Sequence, residues 1–532
     1  MSRNIALALL ALVGVALALL VYASGSSIFS AVDKPDGANR KQPPRVEATE
    51  QPPRFQDWPK PAAVLVLTGE QHGYLEPCGC SEKQSGGMAR RSDLMKQLRD
   101  KGWDVAGLDL GGTVKRARKQ SEYKFAAITD ALRTLDYRGV GLGPEELRLQ
   151  PAFLLSEHVP ADDGSPGLAF LGSNETFFGV PDLEGGPRKS VVFESGGVKI
   201  GAAMILGESQ QRGLFPEGAS ADVAFTPAAE SLEEVVKQFG DEKTQINVLL
   251  SYASLEESRA LAKRFPQFNV VVSAGGPEDP HGKPEQVGDS LLVTVGHKGK
   301  YAGVLSVYPD DEKQPLRYEL VDLDRDRFKH DPAMDAIMRE YQNTLADNLA
   351  DVFADLPESS PPTEGTYVGA QKCGECHKQA FAKWSTTKHA AAYTSLAKGR
   401  EKFEGTWVDR RRDPECLSCH VTGWNPQEAY PYLSGFLPQE IAAERSEPHR
   451  HDLLAGQQCE NCHGPGSVHV DIFEKWDRNA KSVSQSDLAR AKALVKRART
   501  EDLCVRCHDY ENSPDFKFDE YWKKVDHTGL RN

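Results

Sequence analysis

Apolar positions are spread unevenly along the chain, and their spacing divides it into zones. From about residue 62 to residue 324, short apolar runs alternate with stretches of helical period. The runs at 62–67, 105–108, 168–171, 198–206, 248–250, 270–272 and 291–295 have the length of buried strands. Residues 88–101, 123–135, 228–239 and 255–265 instead space apolar residues three and four apart, as helices covering a sheet do. The alternation predicts an α/β domain over 62–325. A connecting helix is expected over 331–356, since Met334, Ile337, Met338, Tyr341, Leu345, Leu349 and Val352 share one stripe behind an Asp331-Pro332 start. Residues 357–366, rich in Pro and Ser, read as a linker. Over 367–532 the apolar runs disappear, leaving helical pieces such as 488–499. That zone has too few aliphatic residues to form its own interior.

The N-terminus shows a different pattern. Arg3 precedes an apolar run over 5–23 that no acidic residue interrupts. About 20 such residues span a bilayer, and the preceding cation holds the N-terminus inside. Residues 1–25 read as a signal-anchor, or as a signal peptide cleaved at Val21-Tyr22-Ala23. Either delivers the rest to the periplasm or another extracytoplasmic space, the anchor also holding it at the membrane. Residues 26–61, rich in Pro, Lys, Gln and Glu, read as a disordered tether. A net charge of −13 over 532 residues argues against nucleic acid as a partner, because phosphate binding needs a basic face.

Eight of the ten cysteines lie beyond residue 372, in four copies of C-x-x-C-H. The copies are Cys373/Cys376/His377, Cys416/Cys419/His420, Cys459/Cys462/His463 and Cys504/Cys507/His508. Two thiols a turn apart form thioethers to the vinyl groups of haem, and the next imidazole reaches the iron. C-x-x-C alone also builds zinc ribbons, but zinc knuckles do not require the following histidine. With 14 histidines in 532 residues, four in four by accident has odds of roughly one in a million. The expected cofactors are four haem c groups, with His377, His420, His463 and His508 proximal. The porphyrins would fill the interior that aliphatic residues do not. Five other histidines compete for at most four remaining iron faces: His389, His449, His451, His469 and His527.

The first motif is followed by Trp384-x-x-x-x-His389-Ala390. The third continues as Cys459-Glu-Asn-Cys462-His463-Gly-Pro-Gly-Ser-Val-His469, and His527 follows the fourth. Through these residues 367–532 resemble the tetrahaem cytochrome c family that partners hydroxylamine oxidoreductase. The resemblance implies a mostly α domain with little regular structure and electron transfer through closely packed, mostly bis-histidine haems. It further implies that His389, His469 and His527 serve irons other than those of their sequence neighbours. One haem in that family lacks a distal protein ligand, and His449 or His451 is a possible ligand at such a position here.

In the first zone, Leu65-Val-Leu-Thr-Gly-Glu70-Gln-His72-Gly73 resembles the opening motif of the 5′-nucleotidase branch of calcineurin-like metallophosphoesterases. Gly107-Leu-Asp109-Leu-Gly-Gly112, Gly141-Leu-Gly-Pro144-Glu145-Glu146, Leu249-Leu-Ser-Tyr252 and Ser273-Ala-Gly-Gly276-Pro277 echo the later motifs in order. The resemblance implies a four-layer α/β sandwich. The family's metal ligands are largely replaced: Gly112 stands at the bridging position, Tyr252 and Pro277 stand where histidines are expected, and His281 is out of register. Glu70 and His72 alone cannot hold two cations, so metal-dependent hydrolysis is expected to be lost.

Cys78 and Cys80 belong to no haem motif. They read as a strained, easily reduced redox pair, as thiolates binding zinc or copper beside Glu70 and His72, or as a plain loop. Arg90 and Arg91 offer an anion site or a means of lowering a thiol pKa, unless simply solvated. The expected function is extracytoplasmic electron transfer by a multihaem c-type cytochrome. Its partners would be redox donor and acceptor proteins or a quinol-linked complex. The alternatives are a haem-dependent redox enzyme acting on a small sulfur or nitrogen compound, and a residual phosphoesterase.

Overall fold

Most apolar runs of the first zone become the inner strands of two six-stranded sheets. The computed structural model describes residues 53–77, 85–158, 167–181, 183–215, 222–399, 403–496, 499–509, 512–513 and 515–530. The N-terminal apolar run, the tether up to residue 52, and Cys78 and Cys80 lie outside these residues. In chain order the strands are β1 (Ala63–Thr68), β2 (Val105–Asp109), β3 (Tyr137–Gly141), β4 (Ala169–Leu171), β5 (Glu175–Phe177), β6 (Ser190–Ser195) and β7 (Val198–Leu206). They continue as β8 (Val223–Phe225), β9 (Ile246–Tyr252), β10 (Val270–Ser273), β11 (Glu285–Val287), β12 (Ser290–Thr294), β13 (Tyr301–Val307) and β14 (Leu316–Asp322).

The first sheet runs β14-β13-β1-β2-β3-β4 and the second β11-β12-β10-β9-β7-β6. Each has four parallel strands, β1 to β4 and β12-β10-β9-β7, with antiparallel strands outside them. Alternate residues of the second sheet serve two layers. Ala203, Ile205, Leu249 and Val271 pack outward against Leu232, Val235 and Phe239 of α3 (Ala228–Glu242) and Ala262 of α4 (Leu255–Arg264). Ala202, Met204, Val248, Leu250, Val270 and Val272 join the main core with the first sheet, α1 (Met88–Asp100) and α2 (Lys119–Thr134). The arrangement is the α/β sandwich the resemblance implies. Burial on both faces explains why the inner strands stand out as apolar runs.

The strands that sequence pattern passes over are the short β5, β8 and β11 and the longer β3, β6, β13 and β14. β6 buries only every other residue over its first four, and β3 is interrupted by glycines. The 331–356 stretch forms two helices, α5 (Ala333–Asp347) and α6 (Leu349–Asp355), which meet at Asn348 with φ −113° and ψ 29°. Asp331 Oδ1 accepts from the Ala333 N–H at 3.0 Å, which caps the start. Residues 357–366 are pinned: Glu358 pairs with Arg445, Ser359 O accepts from Leu433 N–H at 2.8 Å, and Thr366 N–H donates to Ser467 at 2.8 Å.

Beyond residue 367 the chain is a series of short helices with one small β-ribbon. Leu417, Val421, Trp424, Phe436, Leu437 and Ile441 make a modest core. The helices Lys378–Ser385, Ser467–Arg478 and Phe518–Val525 bury none of their residues. No helix among the described residues is long and apolar enough to cross a membrane.

Candidate haem centres

Each C-x-x-C-H motif folds into a helical turn, which puts its two thiols on one side. The second and third lie within Pro414–His420 and Cys459–His463. In the first and fourth, the histidine N–H donates to the carbonyl of the first cysteine, at 2.9 Å for His377 and 2.8 Å for His508. The Cys373 thiol faces that of Cys459, and the Cys419 thiol faces that of Cys507. The first and third motifs are thereby brought together, and so are the second and fourth.

Three histidine pairs span these motifs. Ring centroids lie 6.3 Å apart for His377 and His469, 5.9 Å for His389 and His508, and 5.8 Å for His463 and His527. Two imidazoles sharing one iron have centroids roughly 6 Å apart. Each pair joins a motif histidine to one that follows a different motif. On four of these six rings the outer nitrogen is engaged. Nδ1 of His463, His469 and His527 faces the carbonyls of Val495, Ala491 and Val525 at 2.7, 3.1 and 3.0 Å. His508 Nδ1 lies 2.9 Å from the Ser513 hydroxyl. Such bonds fix the tautomer and leave Nε2 for a metal. Burial lowers the pKa of His377, His389 and His420 and brings His508 down to about 4, which favours the neutral ring that iron binds.

His420 differs. Its Nδ1 lies 2.8 Å from the Ala392 carbonyl, yet no histidine ring opposes it among the described residues. His451 packs against Tyr393 and Phe436, with Nδ1 3.1 Å from Asp452. His449 pairs with no motif histidine among the described residues. The half-buried apolar helix faces, facing thiols and paired rings form a setting that fits haem.

Residues 372–464 match the family model described as cytochrome c554 and c-prime. They carry a cytochrome c554-family domain. Cytochrome c-554 of Nitrosomonas europaea is 28% identical over 207 residues, covering 33% of this chain and 80% of that protein. Covalently bound haem c follows from the family. In structure the chain is also similar to a 5′-nucleotidase precursor from Thermus thermophilus, at 20% identity and TM-score 0.46 over 56% of this chain and 61% of that one. The calcineurin-like phosphoesterase YfkN of Bacillus subtilis is 13% identical, with TM-score 0.43 over 53% of this chain and 97% of that one.

The second motif of the c554 domain is held by the α/β part. Asp413, which caps its helix, accepts from Gln120 Nε2 at 2.8 Å and Gln342 Nε2 at 2.9 Å. Glu415, directly before Cys416, forms ion pairs with Lys124 and, at 3.4 Å, with Arg116. Arg90 pairs with Glu404 at 3.4 Å, while the wholly buried Arg91 pairs with Asp109 at 3.6 Å and donates to Gln71. Both arginines are therefore buried and paired with carboxylates, and neither is simply solvated.

At the carboxyl ends of the inner strands, Gly112 has φ +69°, and a Cβ there would lie 2.9 Å from Tyr252 Oη and 3.1 Å from Glu70 Oε1. Tyr252 and Glu70 occupy the space a bridging carboxylate would need. His297, a residue that motif comparison passes over, joins Glu70 and His72 in one cluster. It follows β12 as a single histidine in Val295-Gly-His297-Lys298, with no spacing signal to mark it.

Proposed function

We propose that this protein is an extracytoplasmic electron-transfer cytochrome whose C-terminal domain holds four haem c groups. The crossed histidine pairs carry this reading. Cys373 and Cys376, Cys416 and Cys419, Cys459 and Cys462, and Cys504 and Cys507 would attach the haems. His377 with His469, His463 with His527, and His508 with His389 would ligate three irons. His420 would ligate the fourth from one side. When bound, the haems supply one-electron chemistry at iron. The protein's own part is to fix the imidazole tautomers, bury the rings and hold the motifs in two close pairs. The apolar run over 5–23 supports export and membrane attachment. Partners would be redox donor and acceptor proteins or a quinol-linked complex.

The unopposed His420 favours a second reading, in which the open face of its haem acts on a small sulfur or nitrogen compound. The two readings share one test, mass spectrometry of protein matured in a haem-attaching host. Four covalent haems are expected. Zinc with free thiols at the motifs would overturn both.

A further inference from the structure

The α/β part holds a cluster that electron transfer by haem does not use. Glu70 and His72 follow the carboxyl end of β1 in the first sheet, and His297 follows the carboxyl end of β12 in the second. Open parallel sheets bind ligands at this end. We propose that Glu70, His72 and His297 bind one divalent first-row metal ion of the zinc or iron(II) class.

The donor atoms lie within 4.8 Å of one another. Glu70 Oε2 is 2.9 Å from His72 Nε2 and 3.6 Å from His297 Nε2. Ligands about 2.0–2.2 Å from one ion are themselves about 3.0–3.5 Å apart, so both separations from Glu70 are already close to those of a coordination sphere. Glu70 is only 6% exposed. His297 Nε2 has no hydrogen-bond partner among the described residues, and Glu70 Oε1 has only the neighbouring Tyr252 hydroxyl. A buried nitrogen left unpaired is costly, and a cation would engage both side chains.

The backbone also holds an unfavourable shape here. Glu70 and His72 have φ of 50° and 48°, in the left-handed region. Their N–H groups donate to Gly111 O at 2.7 Å and Gly112 O at 2.8 Å, while Glu70 O accepts from Lys298 N–H at 2.6 Å. That last bond ties the His297 loop to Glu70. Strain of this kind collects at ligand sites. A plain Glu70–His72 ion pair accounts for one contact and leaves His297 unexplained.

Two nitrogens and one carboxylate suit zinc or iron(II), whereas magnesium and calcium prefer oxygen alone. The absence of a side chain at Gly112 argues for one ion instead of a bridged pair. Gly73, beside His72, is positioned so that a Cβ would lie 3.0 Å from Lys124 Cδ, and Lys124 pairs with Glu415 next to Cys416. The ion would therefore sit one lysine away from the second haem motif.

The test uses the full haem-loaded chain, stripped with a chelator and titrated calorimetrically with zinc chloride. Covalent haem retains its iron through that treatment. One zinc per chain is expected, with a zinc-dependent rise in Tm of the unaltered protein. His297→Ala and Glu70→Gln should each weaken binding by about 100-fold or more, with haem spectra unchanged, whereas His281→Ala should not. Absence of both binding and the Tm rise in the unaltered chain would overturn the proposal without reference to any variant. So would binding that survives both substitutions or falls equally with His281→Ala.

Discussion

Strand β1 is buried at all six of its positions, whereas the twelve-residue helix Ser467–Arg478 buries none. Both segments contain apolar residues. In the α/β part those residues meet one another across two sheets, and the protein supplies its own interior. In the c554 domain Phe473 and Trp476, or Phe518 and Trp522, lie on helices that bury none of their residues in polypeptide. An apolar helix face needs a partner to offset the entropy of ordering it. Porphyrin is the partner these helices fit, so one region should fold without a cofactor and the other should not.

The sharpest way to break this contrast is to remove one attachment point. Cys459→Ser should weaken or abolish covalent haem at the third site and destabilise the c554 domain. A cost of about 3–5 kcal/mol is expected, as for deleting a large aromatic from a core. Residues 62–325 should keep their protection in hydrogen exchange. Equal loss of protection in both regions would show that the α/β part also depends on haem.

A smaller effect is expected from exchanging a distal ligand. His469→Met should retain low-spin iron at the first site and raise that haem's potential, because Met/His ligation is more oxidising than bis-histidine. A rise on the order of 0.1 V is expected, within the ≈0.8 V range that axial ligands command. A redox titration that overlays the unaltered one would exclude His469 as a ligand.

The smallest effect belongs to the α/β part alone. Glu175 has both carboxylate oxygens buried without a hydrogen bond, and burial, with Glu146 nearby, raises its pKa well above 4.5. A raised carboxyl pKa favours the fold fully below about pH 4.5, and that contribution is lost as pH rises through the folded value. Glu175→Gln stays neutral throughout, so its stability relative to the unaltered chain should grow with pH, by about 1–3 kcal/mol. Thermal melts at pH 5 and pH 9 would show it. A constant difference between the two chains at both pH values would mean that Glu175 is not held neutral.

How much could be read from the sequence follows the same division. Inner parallel strands such as β7 announce themselves because both faces are buried. The α5–α6 break at Asn348 does not, since the apolar stripe runs straight through it. The four attachment motifs were visible because covalent chemistry fixes their spacing. The partners of His377, His463 and His508 come from distant segments, so only a family resemblance could suggest that they cross between motifs. His297 left no such trace. A lone histidine after a strand gains meaning only when the two sheets bring it to Glu70. Arg91 misled for the converse reason: its neighbours Asp109 and Gln71 are invisible in a local reading of Arg90-Arg91.

The proposed ligation, three paired irons and one open face, is what EPR and optical spectroscopy of the haem-loaded protein test most directly. Three low-spin ferric haems and one high-spin haem are expected. After reduction, carbon monoxide should bind one haem in four, and His420→Ala should change the spectrum of that carbonyl complex while the other three haems stay low-spin. Four low-spin haems with no carbon monoxide binding would contradict the open face at His420, and more than one high-spin haem would contradict the crossed histidine pairs.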